Sequence, residues 1–207
     1  MKDLNFTKCL KDLFHLNRSI TGKDTLKTLN YFKKINNEFK IIKFKTGTKV
    51  FDWEIPLEWN VNDAYIEHIK TKKKFAEFKK NNLHLVGYSI PIKKILDLKV
   101  LKKKIISHKI PNAIPYVTSY YKKDWGFCLN KHQLNKLPRG KYKVNIDSQL
   151  KKGYLNGSHA IIKGKVKTEI LFSSYVCHPS MANNELSGPI LLNAILKYLK
   201  ENFKKTY

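Results

Sequence analysis

Ile170-Leu-Phe-Ser-Ser-Tyr-Val-Cys-His178-Pro-Ser-Met-Ala-Asn-Asn-Glu-Leu-Ser-Gly188-Pro is the stretch on which the reading of this chain turns. Ile170 to Val176 is short, apolar and partly β-branched, which predicts a buried strand. Pro179 has no N–H to give a ladder, so His178 falls at the strand's carboxyl end. Ligands of open α/β sheets bind outside that end. His178, followed closely by Asn184 and Glu185 at the opening of a helix, is therefore a candidate metal ligand; the alternative is a structural histidine satisfied by its neighbours. The helix is signalled by Ser187 as a cap and Pro189 in the first turn. Leu191, Ala194, Ile195, Tyr198 and Leu199 recur at helical spacing and predict its core face. Cys177 is adjacent to His178, so strand geometry predicts that the two side chains point to opposite faces and do not share an ion.

Outward from this stretch, 207 residues are enough to bury a core in one or two domains. Lys+Arg number 41 against 16 Asp+Glu, a formal net charge of +25. Such a balance makes nucleic acid or an anionic surface a possible partner. The lysines, however, run from end to end without a helix-turn-helix, zinc-finger spacing or aromatic RNA-binding signature, so no specific nucleic-acid role is expected. Cys9, Cys128 and Cys177 are odd in number and widely spaced, which excludes a CxxC zinc module and a paired disulfide framework. A reducing, cytoplasmic setting fits them. No run approaches the ~20 apolar residues needed to span a bilayer, and the N-terminus has no secretory apolar segment, so no membrane partner is expected.

Along the chain, Phe6, Leu10, Leu13 and Phe14 predict one helix, and Leu26, Leu29, Tyr31 and Phe32 a second from about Asp24. Between them Arg18 is either an anion contact or a structurally paired arginine. Phe39 to Phe44 alternates as a strand. Val50-Phe-Asp-Trp-Glu-Ile-Pro-Leu-Glu-Trp59 is an aromatic and acidic island, whose carboxylates are either acid, base or amine contacts, or bonded to backbone beside core tryptophans. Strands are predicted at 63–66, 83–91, 114–121 and 125–129, a helix over 95–106, a short helix over 132–137, and strands at 142–148 and 154–162. The distribution suggests three parts: residues 1–47, mainly helical; 48–150, a β-rich, aromatic insert domain; and 151–207, a strand, loop and helix.

With these motifs in hand the chain resembles bacterial aminopeptidase-like proteins of uncharacterised function, often near polysaccharide-biosynthesis genes and related to zinc-dependent aminopeptidases. The likeness runs nearly end to end. It is carried by Asn17-Arg-Ser-Ile-Thr-Gly22, by the island 50–59 with Asp63-Ala-Tyr-Ile66, and by Asn82-Leu-His-Leu-Val-Gly-Tyr-Ser-Ile-Pro91. Ile114-Pro-Tyr-Val-Thr-Ser-Tyr-Tyr121, Trp125-Gly-Phe-Cys128 and Tyr175 to Gly188 complete it. The resemblance implies an α/β fold, an incomplete zinc-peptidase core of the phosphorylase/hydrolase-like type interrupted by the β-rich insert. It implies zinc as cofactor, with His178 as a ligand and Asn184 at the position where the wider family places an aspartate bridging two metals. An amide neither bridges nor neutralises two cations as a carboxylate does, so Glu185 next door becomes a further candidate ligand.

The resemblance also implies that a general-base glutamate and further ligands lie on strands after the helix that ends near Asn202. The expectation is thus the N-terminal portion of a metallo-aminopeptidase-like hydrolase acting on a peptide or aminoacyl substrate, inactive alone and completed by a C-terminal half or by a homo-oligomer. In the intact relative, zinc polarises the scissile carbonyl and acidifies a bound water. The rival reading is a non-catalytic module whose aromatic insert binds a peptide or glycan.

Overall fold

The structure is a computed structural model and describes residues 4–202. In chain order its elements are α1 (Phe6–Phe14), α2 (Lys23–Ile35), β1 (Lys40–Lys45), β2 (Lys49–Val50), β3 (Trp53–Glu54), β4 (Glu58–His68), β5 (Lys74–Phe75) and a 3-10 turn (Asn82–His84). They continue with β6 (Ile92–Asp97), α3 (Leu98–Lys102), β7 (Ile105–Ile106), β8 (Phe127–Cys128), α4 (Lys131–Asn135), β9 (Lys141–Lys151), β10 (Tyr154–His159), a π-helical turn (Ala182–Leu186) and α5 (Ser187–Asn202). The result is a mixed α/β architecture with small sheets, which divides into two compact units: Pro56–Lys152, and the segments on either side of it.

In the flanking unit, α1 is capped by Asn5, whose side chain accepts the Lys8 N–H at 2.8 Å. Gly22 opens α2 at φ 105°, a conformation glycine adopts without cost, and no side chain caps that helix; Asp24 instead accepts the Asn17 N–H. Cys9 and Leu13 of α1, Phe32 of α2, and Leu186 and Ile190 pack into one buried apolar cluster. Burying a side chain such as Leu186 or Ile190 contributes roughly 1.5–3 kcal/mol. The strand β1 pairs antiparallel with β10, from Lys40 opposite His159 to Lys45 opposite Tyr154.

Two expectations for this unit are corrected. Residues 160–181 form no regular element, so the strand predicted over Ile170 to Val176 is absent. A strand exists only through its ladder, and this segment has no strand partner among the described residues; Ile170 and Leu171 are 79% and 88% exposed. The core face of α5 is partly displaced from the predicted one, with Ala194 buried as expected and Ile195 and Leu199 half-buried. Pro189, Ile190, Asn193 and Ala194 are buried, whereas Leu191 and Tyr198 are exposed. The π-helical turn before α5 accounts for this, because its extra residue per turn shifts which side chains face inward.

The central unit is built on the long pair β4 and β9, with β5 and β6 outside them in the order β5-β4-β9-β6. Its strands alternate as the pattern requires: Trp59, Val61, Ala64, Ile66, Tyr142, Val144 and Ile146 are buried on one side. A bulge between Val61 and Asp63 adjusts the register. Trp59 stacks on Tyr88 at 5.5 Å and donates its indole N–H to the Ser89 carbonyl at 3.0 Å, so this tryptophan of the island is a core anchor. Three predicted elements fail here, the strands over 83–91 and 114–121 and the helix over 95–106. The run 83–91 is a 3-10 turn, capped by Asn81, followed by irregular chain. The helix expected over 95–106 is instead the end of β6, the short α3 and β7, because Ile92–Asp97 is captured as a partner by β9. Only β8 is regular within 114–129.

Candidate functional site

The loop after residue 176 is positioned by backbone features that local sequence dictates. Ser180, directly after Pro179, adopts φ 48°, an uncommon left-handed conformation for a residue with a Cβ. The π-helical turn Ala182–Leu186 then folds Glu185 back over the loop. Such turns recur at functional sites. Ser187 does not cap α5; its hydroxyl donates to the Asn183 carbonyl at 2.5 Å.

Glu185 is buried, with 1% of its surface exposed, and its carboxylate organises the loop. One oxygen, Oε1, accepts the backbone N–H of His178 at 2.7 Å and that of Cys177. The other, Oε2, lies 2.8 Å from His178 Nδ1. A carboxylate only accepts, so Nδ1 carries the proton in this arrangement. Cys177 Sγ is 3.7 Å from the same Nδ1. The candidate ligand atoms of Cys177, His178 and Glu185 all lie within 4.8 Å of one another. The expectation that Cys177 and His178 diverge is thereby overturned: opposite faces require an extended strand, and residues 171–178 are irregular.

Asn184, the neighbour of Glu185, makes its own contacts. Its side-chain oxygen accepts the Tyr175 hydroxyl at 2.8 Å, and its amide nitrogen approaches Met181 Sδ at 3.4 Å. Tyr175 in turn meets the His178 ring edge-on at 6.0 Å. Asn184 is thus connected to the histidine through an aromatic neighbour.

Arg18, for which the sequence left two roles open, is drawn to this site electrostatically. It is 0% exposed and donates from Nη1 to the Leu13 carbonyl, while Nε and Nη2 have no hydrogen-bond partner. Burial pushes its pKa down to about 10, against the opposing pull of the Glu185, Asp24 and Cys177 charges. A buried guanidinium thus offsets a buried carboxylate. The Cys177 thiol is pushed up to about 12, first by burial and then by the Glu185 charge and hydrogen bond. Sulfur, imidazole nitrogen and carboxylate oxygen form a donor set of the kind zinc accepts, and the spacing of the three lets one ion reach them all.

The chain is also similar to known proteins. Over 195 residues the chain is 43% identical to a provisionally named polysaccharide biosynthesis protein with aminopeptidase-like domain from Clostridium acetobutylicum, covering 93% of this chain. A crystal structure titled as that of a peptidase, also provisionally named and from the same organism, superimposes with a TM-score of 0.92 at 41% identity over 97% of this chain. The chain is a relative of aminopeptidase-like proteins. It spans 44% of the first relative and 47% of the second. Within it, residues 58–149 match the family described as Domain of unknown function (DUF2172). That match falls inside the central unit, whereas the candidate loop, residues 177–185, lies in the flanking unit.

Proposed function

We propose that this chain carries the metal-binding loop of a zinc-dependent aminopeptidase-like hydrolase. The observation that carries the reading is the convergence of Cys177, His178 and Glu185, with ligand atoms within 4.8 Å, on the loop of a chain homologous to aminopeptidase-like proteins. Cys177, His178 and Glu185 would hold the zinc, which when bound would supply Lewis-acid polarisation of a carbonyl oxygen. This chain's own residues hold and orient. Two backbone amides fix Glu185 Oε1, which leaves Oε2 directed at the His178 ring. The Arg18 charge offsets that of the carboxylate, so that both are tolerated in a buried site. Asn184 lies beside the cluster as an outer amide, held by Tyr175.

The substrate is a peptide or aminoacyl compound, and the groups that activate water come from outside this cluster, from a C-terminal half or a second subunit. The protein works in the reducing cytoplasm, where its three free cysteines stay reduced. No helix among the described residues is long and apolar enough to cross a membrane. Zinc-edge X-ray absorption tests the donor set. The reading expects one sulfur neighbour at about 2.3 Å with nitrogen and oxygen neighbours at about 2.0–2.2 Å. A spectrum without sulfur or imidazole contributions contradicts it.

A further inference from the structure

The central unit contains a second place where chemistry-bearing side chains gather, independent of the metal-binding reading. A cleft of about 370 Å³ opens between residues 103–106 and the segment 117–126. That volume lies at the lower end of the ~300–1,000 Å³ usual for ligand pockets and suits one or two sugar rings. Its walls are fixed by backbone bonds: Gly87 N–H to the Val117 carbonyl at 2.8 Å, Ser119 N–H to the Gly87 carbonyl at 2.9 Å, and Phe127 N–H to the Lys104 carbonyl at 2.9 Å. Gly126, which also lines the cleft, leaves little room for a side chain, since a Cβ there would lie 3.0 Å from the Lys104 carbonyl oxygen.

Aromatic rings and positive charge line this cleft together. Tyr120 is held in place edge-on to Tyr88 at 4.8 Å and by the Tyr116 hydroxyl at 3.1 Å, whereas Tyr121 is 86% exposed. Trp125 lines the same wall, with Lys104 Nζ 5.5 Å from its ring centroid. Lys103, Lys104 and Lys122 line the cleft with one carboxylate, Asp124, which pairs with Lys104 at 2.5 Å. Two lysines therefore remain in excess at the rim. A pyranose ring presents a flat face of weakly positive C–H bonds, which the negative face of an aromatic ring attracts, and a hydroxyl edge that Thr118 and Ser119 can meet. Uncompensated lysines add attraction for a carboxylate on that sugar.

We propose that this cleft binds an acidic saccharide, a sugar unit bearing a carboxylate, through Tyr121 and Trp125 as stacking surfaces and Lys103 and Lys122 as carboxylate partners. Calorimetric titration of the full chain with trigalacturonate, a neutral galactose trisaccharide, inorganic phosphate and UMP tests it. Trigalacturonate should bind saturably, at least about tenfold more tightly than the neutral trisaccharide. Tyr121→Ala and Lys122→Glu, both at exposed positions, should each weaken it about five- to tenfold without changing the circular dichroism spectrum. Lys33→Glu on α2 should not, and so separates a built site from diffuse positive charge. Absence of saturable binding, an equal loss in Lys33→Glu, equal competition by phosphate, or tighter binding of UMP would each overturn the proposal.

Discussion

Glu185 grips His178 twice: Oε1 takes the residue's backbone N–H at 2.7 Å while Oε2 meets its ring Nδ1 at 2.8 Å. One carboxylate therefore fixes both where the histidine's backbone lies and how its imidazole is turned. Glu185→Gln keeps the shape but removes the charge. Zinc affinity should fall by at least about tenfold, as for loss of a carboxylate that holds a ligating histidine. Affinity unchanged in that variant, measured by competition with a zinc-sensitive dye, would remove Glu185 from the site.

Arg18 and Glu185 are both buried, and each charge makes the other tolerable. Arg18→Met should cost about 3–5 kcal/mol in urea unfolding, because it strands a buried carboxylate as well as losing the bond to Leu13 O. The double variant Arg18→Met with Glu185→Gln should recover part of that loss. A single-variant cost under about 0.5 kcal/mol, the range of surface changes, would mean that the two charges do not depend on one another.

His84 gives the central unit a pH dependence. Its Nδ1–H donates to the Cys128 carbonyl at 2.7 Å, and burial lowers its pKa below the ordinary 6.5, against the smaller opposing effects of that bond and of Glu77. A folded-state pKa below the unfolded one means that the unfolded chain takes up the proton first. Stability from this residue is thus full above about pH 6.5 and is lost as pH falls toward the depressed folded value. Thermal melts of the native chain and of His84→Gln between pH 7.5 and 5 should converge as pH falls, the variant losing less. Parallel curves would show that the His84 pKa is the same in the folded and unfolded chain.

The apolar segment at residues 170–172 has its own consequence. Ile170 and Leu171 are largely exposed and Phe172 is half exposed, without a strand partner among the described residues. Such a run invites association with other strands. Ile170→Lys with Leu171→Lys should reduce aggregation and dye binding to apolar surface, with the melting temperature changed by no more than about 2 °C. A marked drop in melting temperature would show that these side chains are covered in solution.

The parts legible in the sequence were those set by local pattern. Leu10 and Leu13 at helical spacing, and Tyr142, Val144 and Ile146 in alternation, lie in α1 and β9 as their periodicity requires. Leu83 to Ile90 misled because an apolar run does not reveal that Asn81 will cap a 3-10 turn at its start. Leu96, Leu98 and Leu101 imitate a helix, but pairing of Ile92–Asp97 with β9 overrides the local pattern. At the candidate site, His178 and Glu185 were visible from their spacing around Pro179. Asn184 was read as a candidate ligand from its place beside Glu185 at the opening of the helix; in the structure its side chain accepts from Tyr175 and approaches Met181. Arg18 meets Glu185 across 167 residues of sequence, and no local pattern records such a meeting.

Activity should follow the incompleteness of the cluster. Among the described residues only Cys177, His178 and Glu185 form a group of three or more potential metal ligands, and the chain spans less than half of its aminopeptidase-like relatives. The 207-residue chain should therefore show negligible hydrolysis of aminoacyl-anilides. Sustained turnover abolished by His178→Ala would demonstrate that the chain supplies a general base of its own.

The most direct measurement is a calorimetric zinc titration of the native chain beside His178→Ala, Cys177→Ser and Asn184→Ala. Three clustered donors predict one weak site, lost in His178→Ala, weakened about tenfold in Cys177→Ser and little changed in Asn184→Ala. Zinc bound equally well by the native chain and by His178→Ala would contradict the assignment of this loop as the metal centre.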